Sequence, residues 1–105
     1  MKEYIVVFIT CASGKEAALI AKHLLSEKLV ACANIVKDIK SSFWWNGKVD
    51  KAVETLLILK TTKSNLVEIQ KMVRKFHSYE VPEIIALPIV GGEVNYLRWI
   101  DESIK

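Results

Sequence analysis

The chain has 105 residues and is 51% hydrophobic, enough for the core of one domain with little to spare. Its net charge is only +3, and Arg74 and Arg98 are the only arginines among 15 basic residues. The forked donors of a dedicated phosphate or nucleic-acid reader are therefore scarce.

Met1-Lys2-Glu3 leads straight into strand-like sequence, with nothing resembling a cleavable leader. No apolar run approaches the roughly 20 residues of a membrane-spanning helix. Cys11 and Cys32 lie far apart without CxxC spacing, so reduced thiols in a cytoplasmic protein are expected, with no membrane partner.

Tyr4 to Thr10 is a nearly continuous apolar run and predicts a buried central strand. Ser13-Gly14-Lys15-Glu16 has the spacing of a capping box, with Ser13 as N-cap and Glu16 reaching back. Ala17, Ile20, Ala21 and Leu24 then repeat at helical spacing, predicting a helix from Gly14 to Lys28. His23 falls mid-helix beside Lys22 and is expected in solvent, whereas Cys32, between Ala31 and Ala33, is expected to pack in the core.

The run Ser42-Phe43-Trp44-Trp45-Asn46-Gly47-Lys48-Val49 follows. Asn-Gly is the strongest short hairpin signal, because a type I′ turn needs positive φ at both central residues. The arms reach back to Ala31 and forward to Lys60, which is about 45 Å per arm at ~3.3 Å per residue. A compact domain of this length is only roughly 35 Å across. The hairpin should overhang its own globule, and two tryptophans at its tip then need a partner's cover. The simplest cover is another copy of the chain.

Leu56-Leu57-Ile58-Leu59 is apolar on both faces and reads as central strand. Thr61-Thr62-Lys63-Ser64-Asn65 offers several N-caps for a second helix with the stripe Leu66, Ile69, Val73 and Phe76. Glu83 to Leu87 reads as a fourth strand, and Pro88 predicts that it lies at an edge or leaves the sheet at that point. Gly91-Gly92 turns the chain into a short final helix carrying Tyr96, Leu97, Trp99, Ile100 and Ile104. The order is an α+β, ferredoxin-like βαββαβ unit: an antiparallel sheet with two helices on one face, a long central hairpin and a C-terminal helix. Residues 1–105 form one domain in this reading.

Several local patterns carry a family resemblance along nearly the whole chain. They are Leu29-Val30-Ala31-Cys32-Ala33-Asn34-Ile35, Trp45-Asn46-Gly47-Lys48, Glu54 with Leu56 to Thr62, His77-Ser78-Tyr79-Glu80-Val81-Pro82-Glu83-Ile84 and Tyr96-Leu97-Arg98-Trp99-Ile100. Together they resemble the divalent-cation-tolerance family known as CutA. One departure is visible: the family usually reads His-Pro-Tyr-Glu, and Ser78 stands where that proline would be, so a looser turn is expected. The resemblance implies a homotrimer joined through its long strands, similar in architecture to the PII signal proteins. It also implies a role in tolerance to divalent metals, copper named most often, and supplies no mechanism.

The candidate metal ligands are Cys11, His77 and Glu80, with Glu83 beside them. Imidazole with thiolate suits copper or zinc, whereas carboxylates suit harder ions. The resemblance carries copper binding to Cys11 and His77. Without an ion, Cys11 reads as a small buried hydrophobe and His77 as a helix-terminal residue favoured by the dipole. The subunit interface is expected to include Phe43, Trp44, Trp45, Tyr79 and Trp99.

Competing chemistries are weaker. Thr10 to Lys15 lacks the glycine spacing of a P-loop and is explained as a helix cap. The hairpin aromatics lack the Lys/Arg-Gly-Phe motif of a ferredoxin-like RNA binder. No nucleophile-base pair is evident, so a binding or assembly protein is expected rather than an enzyme. The alternative is a PII-like module that takes a small metabolite or anion in clefts between subunits.

Overall fold

The computed structural model describes residues 2–105. The element order is β1 (Tyr4–Cys11), α1 (Gly14–Ser26), β2 (Cys32–Trp45), β3 (Lys48–Thr62), a short 3-10 turn (Lys63–Asn65), α2 (Leu66–Phe76), β4 (Ile84–Pro88) and α3 (Val94–Ser103). The sheet order is β2-β3-β1-β4 and every pairing is antiparallel. This is the α+β ferredoxin-like arrangement. The two long apolar runs, β1 and β3, occupy its centre, and β4 lies at the edge and ends at Pro88, which has no amide hydrogen to donate.

Alternation along β1 sends Ile5, Val7, Ile9 and Cys11 to one face, where they pack with Leu57 and Leu59 of β3. Ala17, Ile20, Ala21 and Leu24 of α1, with Ile69 and Val73 of α2, cover that face. The opposite face carries Val6, Phe8, Leu56 and Ile58, flanked by the exposed Val36, Ile85 and Leu87. α3 covers part of it by packing on β3, with Ile100 fully buried outside the main core. The rest is an open apolar sheet face.

The hairpin turns at Asn46 and Gly47 with φ of 50° and 75°, the left-handed pair that a type I′ turn requires. The principal extents are 44 × 26 × 22 Å, so the ribbon lengthens the molecule in one direction. Trp44 and Trp45 at its end are 76% and 59% exposed.

Four local expectations are corrected. α1 stops at Ser26 rather than Lys28 because Lys28 adopts φ 55°. Its amide donates to the Leu25 carbonyl and that of Leu29 to the Leu24 carbonyl, the paired bonds of a Schellman stop. Asn65 does not cap α2; its side-chain amide donates to the buried Leu29 carbonyl, which also accepts the Thr61 hydroxyl. His23 is not freely solvated, since its ring stacks on Phe76 with centroids 4.1 Å apart. Cys32 is only half-buried and belongs to the open face, not the core. The sequence also gave no sign of the bulge between Val36 and Ile39, where Asp38 takes φ 61°.

Candidate functional site

Cys11 ends β1 opposite Thr55 of β3 and is completely buried. The chain then turns through Ala12 into the α1 cap. Ser13 Oγ accepts the Glu16 amide at 3.1 Å, as a capping box requires, but the Glu16 carboxylate reaches beyond the N-cap. Its Oε2 accepts the Ala12 amide at 3.0 Å and its Oε1 accepts the Ser78 amide at 2.8 Å. The second bond exists because residue 78 is not proline. The turn expected to be loose is instead tied to α1.

His77 closes α2, its amide donating to the Val73 carbonyl. Its ring has no solvent exposure and sits between two backbone partners. Nε2 faces the Thr10 carbonyl at 2.7 Å, and Nδ1 faces the Tyr79 amide at 3.0 Å. A carbonyl only accepts and an amide N–H only donates, so the ring's hydrogen belongs on Nε2 and the lone pair on Nδ1. Nδ1 is also 3.8 Å from Glu16 Oε2.

Cys11, Glu16 and His77 thus bring one sulfur, one oxygen and one nitrogen within 4.8 Å of one another. Burial, with the charges of Glu16 and Glu54, pushes the Cys11 thiol up to about 12. Burial alone would raise Glu16, but the bonds from Ser78 and Ala12 outweigh it and hold the carboxyl below its ordinary value. Tyr79 stacks at a tilt on His77, and its hydroxyl donates to the buried Glu54 carboxylate at 2.8 Å. Burial and that carboxylate push the phenol up to about 12.

The fold therefore brings together two of the residues singled out in the sequence, Cys11 and His77. Glu80 and Glu83 are exposed and stand outside the cluster; the carboxylate in it is Glu16. Glu16 was legible only as a cap, yet a residue capping a helix that follows β1 must lie beside the last residue of β1. Glu54 and Tyr79 gave no such local signal, because their contact joins β3 to the turn after α2. Of the expected interface residues, Phe43, Trp44, Trp45 and Trp99 are exposed, whereas Tyr79 is half-buried.

A sulfur-imidazole-carboxylate set has the chemistry of a copper or zinc site rather than one for a hard ion. In kind, these donors fit such a metal. In state they are committed elsewhere: the thiol carries its proton, and Nδ1 holds the Tyr79 amide. Three protein ligands also leave a position for water.

Comparison with known proteins bears on the same region. The family model described as CutA1 divalent ion tolerance protein matches residues 5–103. The chain belongs to that family. It is 46% identical over 101 residues to the rice "Protein CutA 1, chloroplastic", covering 96% of this chain and 57% of the rice protein. It is also 46% identical over 99 residues to the "Divalent-cation tolerance protein CutA" of Archaeoglobus fulgidus, covering 94% of this chain and 96% of that protein. The chain thus spans little more than half of the chloroplastic relative and nearly all of the archaeal one.

Solved structures agree. The crystal structure of rice CutA1 superposes with a TM-score of 0.95 at 45% identity, covering 98% of this chain and 94% of that one. The A. fulgidus structure, described as a periplasmic divalent cation tolerance protein, gives 0.94 at 44% identity, covering 97% of this chain and 99% of that one. Among the described residues, no helix is long and apolar enough to cross a membrane.

Proposed function

We propose that the protein is a homotrimeric divalent-cation-tolerance protein that works as an assembly module and takes up copper-class ions weakly at Cys11, Glu16 and His77. It is not an enzyme in this reading. Both cysteines are free thiols, which suits a reducing compartment such as the cytoplasm. The carrying observation is the apolar surface that one chain leaves uncovered: the hairpin tip with Trp44 and Trp45, and the open sheet face with Val36, Ile85 and Leu87. Surface of this kind marks a protein interface or an aggregation hazard. A closed ring of copies covers it without leaving an edge free.

The cluster supports weak metal uptake in particular. An ion there must displace the Cys11 proton and compete with the Tyr79 amide for Nδ1, and both costs lower its affinity. Equilibrium dialysis with Cu²⁺ and Zn²⁺ on wild type and Cys11→Ala/His77→Ala tests the assignment. Loss of a binding equivalent in the double variant is the expected result; unchanged stoichiometry and affinity would remove these residues from the site.

A second reading rests on one further feature. A cavity of about 710 Å³ opens between the start of α1 and the base of the hairpin, lined by Ser13, Lys15, Ile35, Lys37 and Thr55 among others. Its size suits a small metabolite, as a PII-like regulatory module would require. Thermal stabilisation in a metabolite screen is the expected sign, growing as RT ln(1 + [L]/Kd).

A further inference from the structure

On the sheet face away from α1 and α2, Cys32 and Lys60 stand directly opposite one another on β2 and β3. The Lys60 amine lies 4.0 Å from the Cys32 sulfur. The thiol, at 3.7 Å, and the amine both donate to Oδ1 of Asn34. Two donors therefore converge on one acceptor, with sulfur and nitrogen held side by side. Both side chains are half-buried near α3 in the single chain.

The second cysteine cannot help. Cys11 faces the opposite side of the sheet, is buried, and pairs with Thr55 rather than with this end of β3. A sulfenic acid formed on Cys32 thus finds no thiol of its own chain to condense with. The nucleophile beside it is the Lys60 amine.

We propose that hydroperoxide joins Cys32 to Lys60 through a covalent S–O–N bridge, making this strand pair a redox-sensitive clasp. A first peroxide oxidises the thiol to sulfenic acid, sulfur losing an electron pair, and leaves as water. After the Lys60 ammonium gives one proton to solvent, a second peroxide removes one hydrogen from the sulfenic O–H and one from the amine, so that the O–N bond forms; it leaves as two waters. In sum, thiol, amine and two peroxides give the bridge and three waters. One oxygen spans the gap with less side-chain movement than a direct S–N bond would need. All the residues come from one chain, so the bridge needs no residue of a partner and no metal.

The test treats the folded full-length protein with dilute hydrogen peroxide in the presence of a chelator, followed by intact-mass and peptide analysis. The expected product is a Cys32–Lys60 peptide pair heavier by about 14 Da than the two free peptides, one oxygen gained and two hydrogens lost. Dithiothreitol should reverse it, and it should be absent from Cys32→Ser and from Lys60→Arg, which keeps the positive charge. It should also be absent when peroxide is added in denaturant, where the strands no longer hold the pair together. Oxygen added to Cys32 alone, with Lys60 free in the folded wild type, would overturn the proposal. So would an unreacted Cys32.

Discussion

The Ser78 amide donates to Oε1 of Glu16 at 2.8 Å, joining the turn after α2 to the first turn of α1. The same carboxylate holds the Ala12 amide, so one side chain ties three segments around Cys11 and His77. Glu16→Ala removes the acceptor of both amides. A loss of about 0.5–1.5 kcal/mol is expected, since water can replace the carboxylate at these exposed amides, measured by urea unfolding at fixed protein concentration. Glu16→Gln keeps an oxygen for one amide and should cost less.

The sign of the acid dependence follows from the same carboxylate. Its folded value lies below the ordinary one, so its contribution is complete above the unfolded carboxylate value of about 4.3 and is lost as pH falls through the folded value. The difference in stability between wild type and Glu16→Gln should therefore shrink on acidification. A difference that stays constant through that range would contradict the assignment.

At the alkaline end Cys11 acts with the opposite slope. The folded thiol keeps its proton up to about 12, whereas the unfolded chain releases it near about 8.5. Stability should fall as pH rises between those values, and Cys11→Ala should flatten that part of the curve. Metal uptake at the cluster must expel the same proton, so affinity for Zn²⁺ should rise by about tenfold per pH unit while the thiol remains protonated. Calorimetric titration across a pH series measures this.

Tyr79→Phe removes the hydroxyl that donates to the buried Glu54 carboxylate. The carboxylate then lacks its side-chain partner, with an expected cost of about 1–3 kcal/mol. Tyr79→Phe with Glu54→Gln should cost less than the sum of the two single changes, because the second removes the charge that the first leaves uncompensated. Denaturant unfolding of the full cycle checks the coupling.

Trp44→Ala and Trp45→Ala should weaken assembly, each by about 2 kcal/mol or more if the ring is buried by a neighbouring copy. Sedimentation at low micromolar concentration should show three chains for wild type and a shift toward single chains for the double variant. A wild type that stays monomeric and soluble would remove the trimer.

What the sequence determined by itself is what neighbours along the chain decide. Asn46-Gly47 specifies its hairpin because few other pairs accept two positive φ values in succession. Ser13 starts α1 by taking up the Glu16 amide, and the two fully apolar runs belong at the centre of the sheet because both of their faces require cover. The tertiary structure alone decided what distant residues do to one another. His77 meets Thr10, Ser78 meets Glu16 and Tyr79 meets Glu54 only once α2 and its following turn dock beside β1. No propensity or period encodes such contacts, because they satisfy hydrogen-bonding groups that local structure leaves unpaired. The same holds for the open sheet face: alternation marks its residues as apolar, but only the packing of α1, α2 and α3 shows which part they leave uncovered.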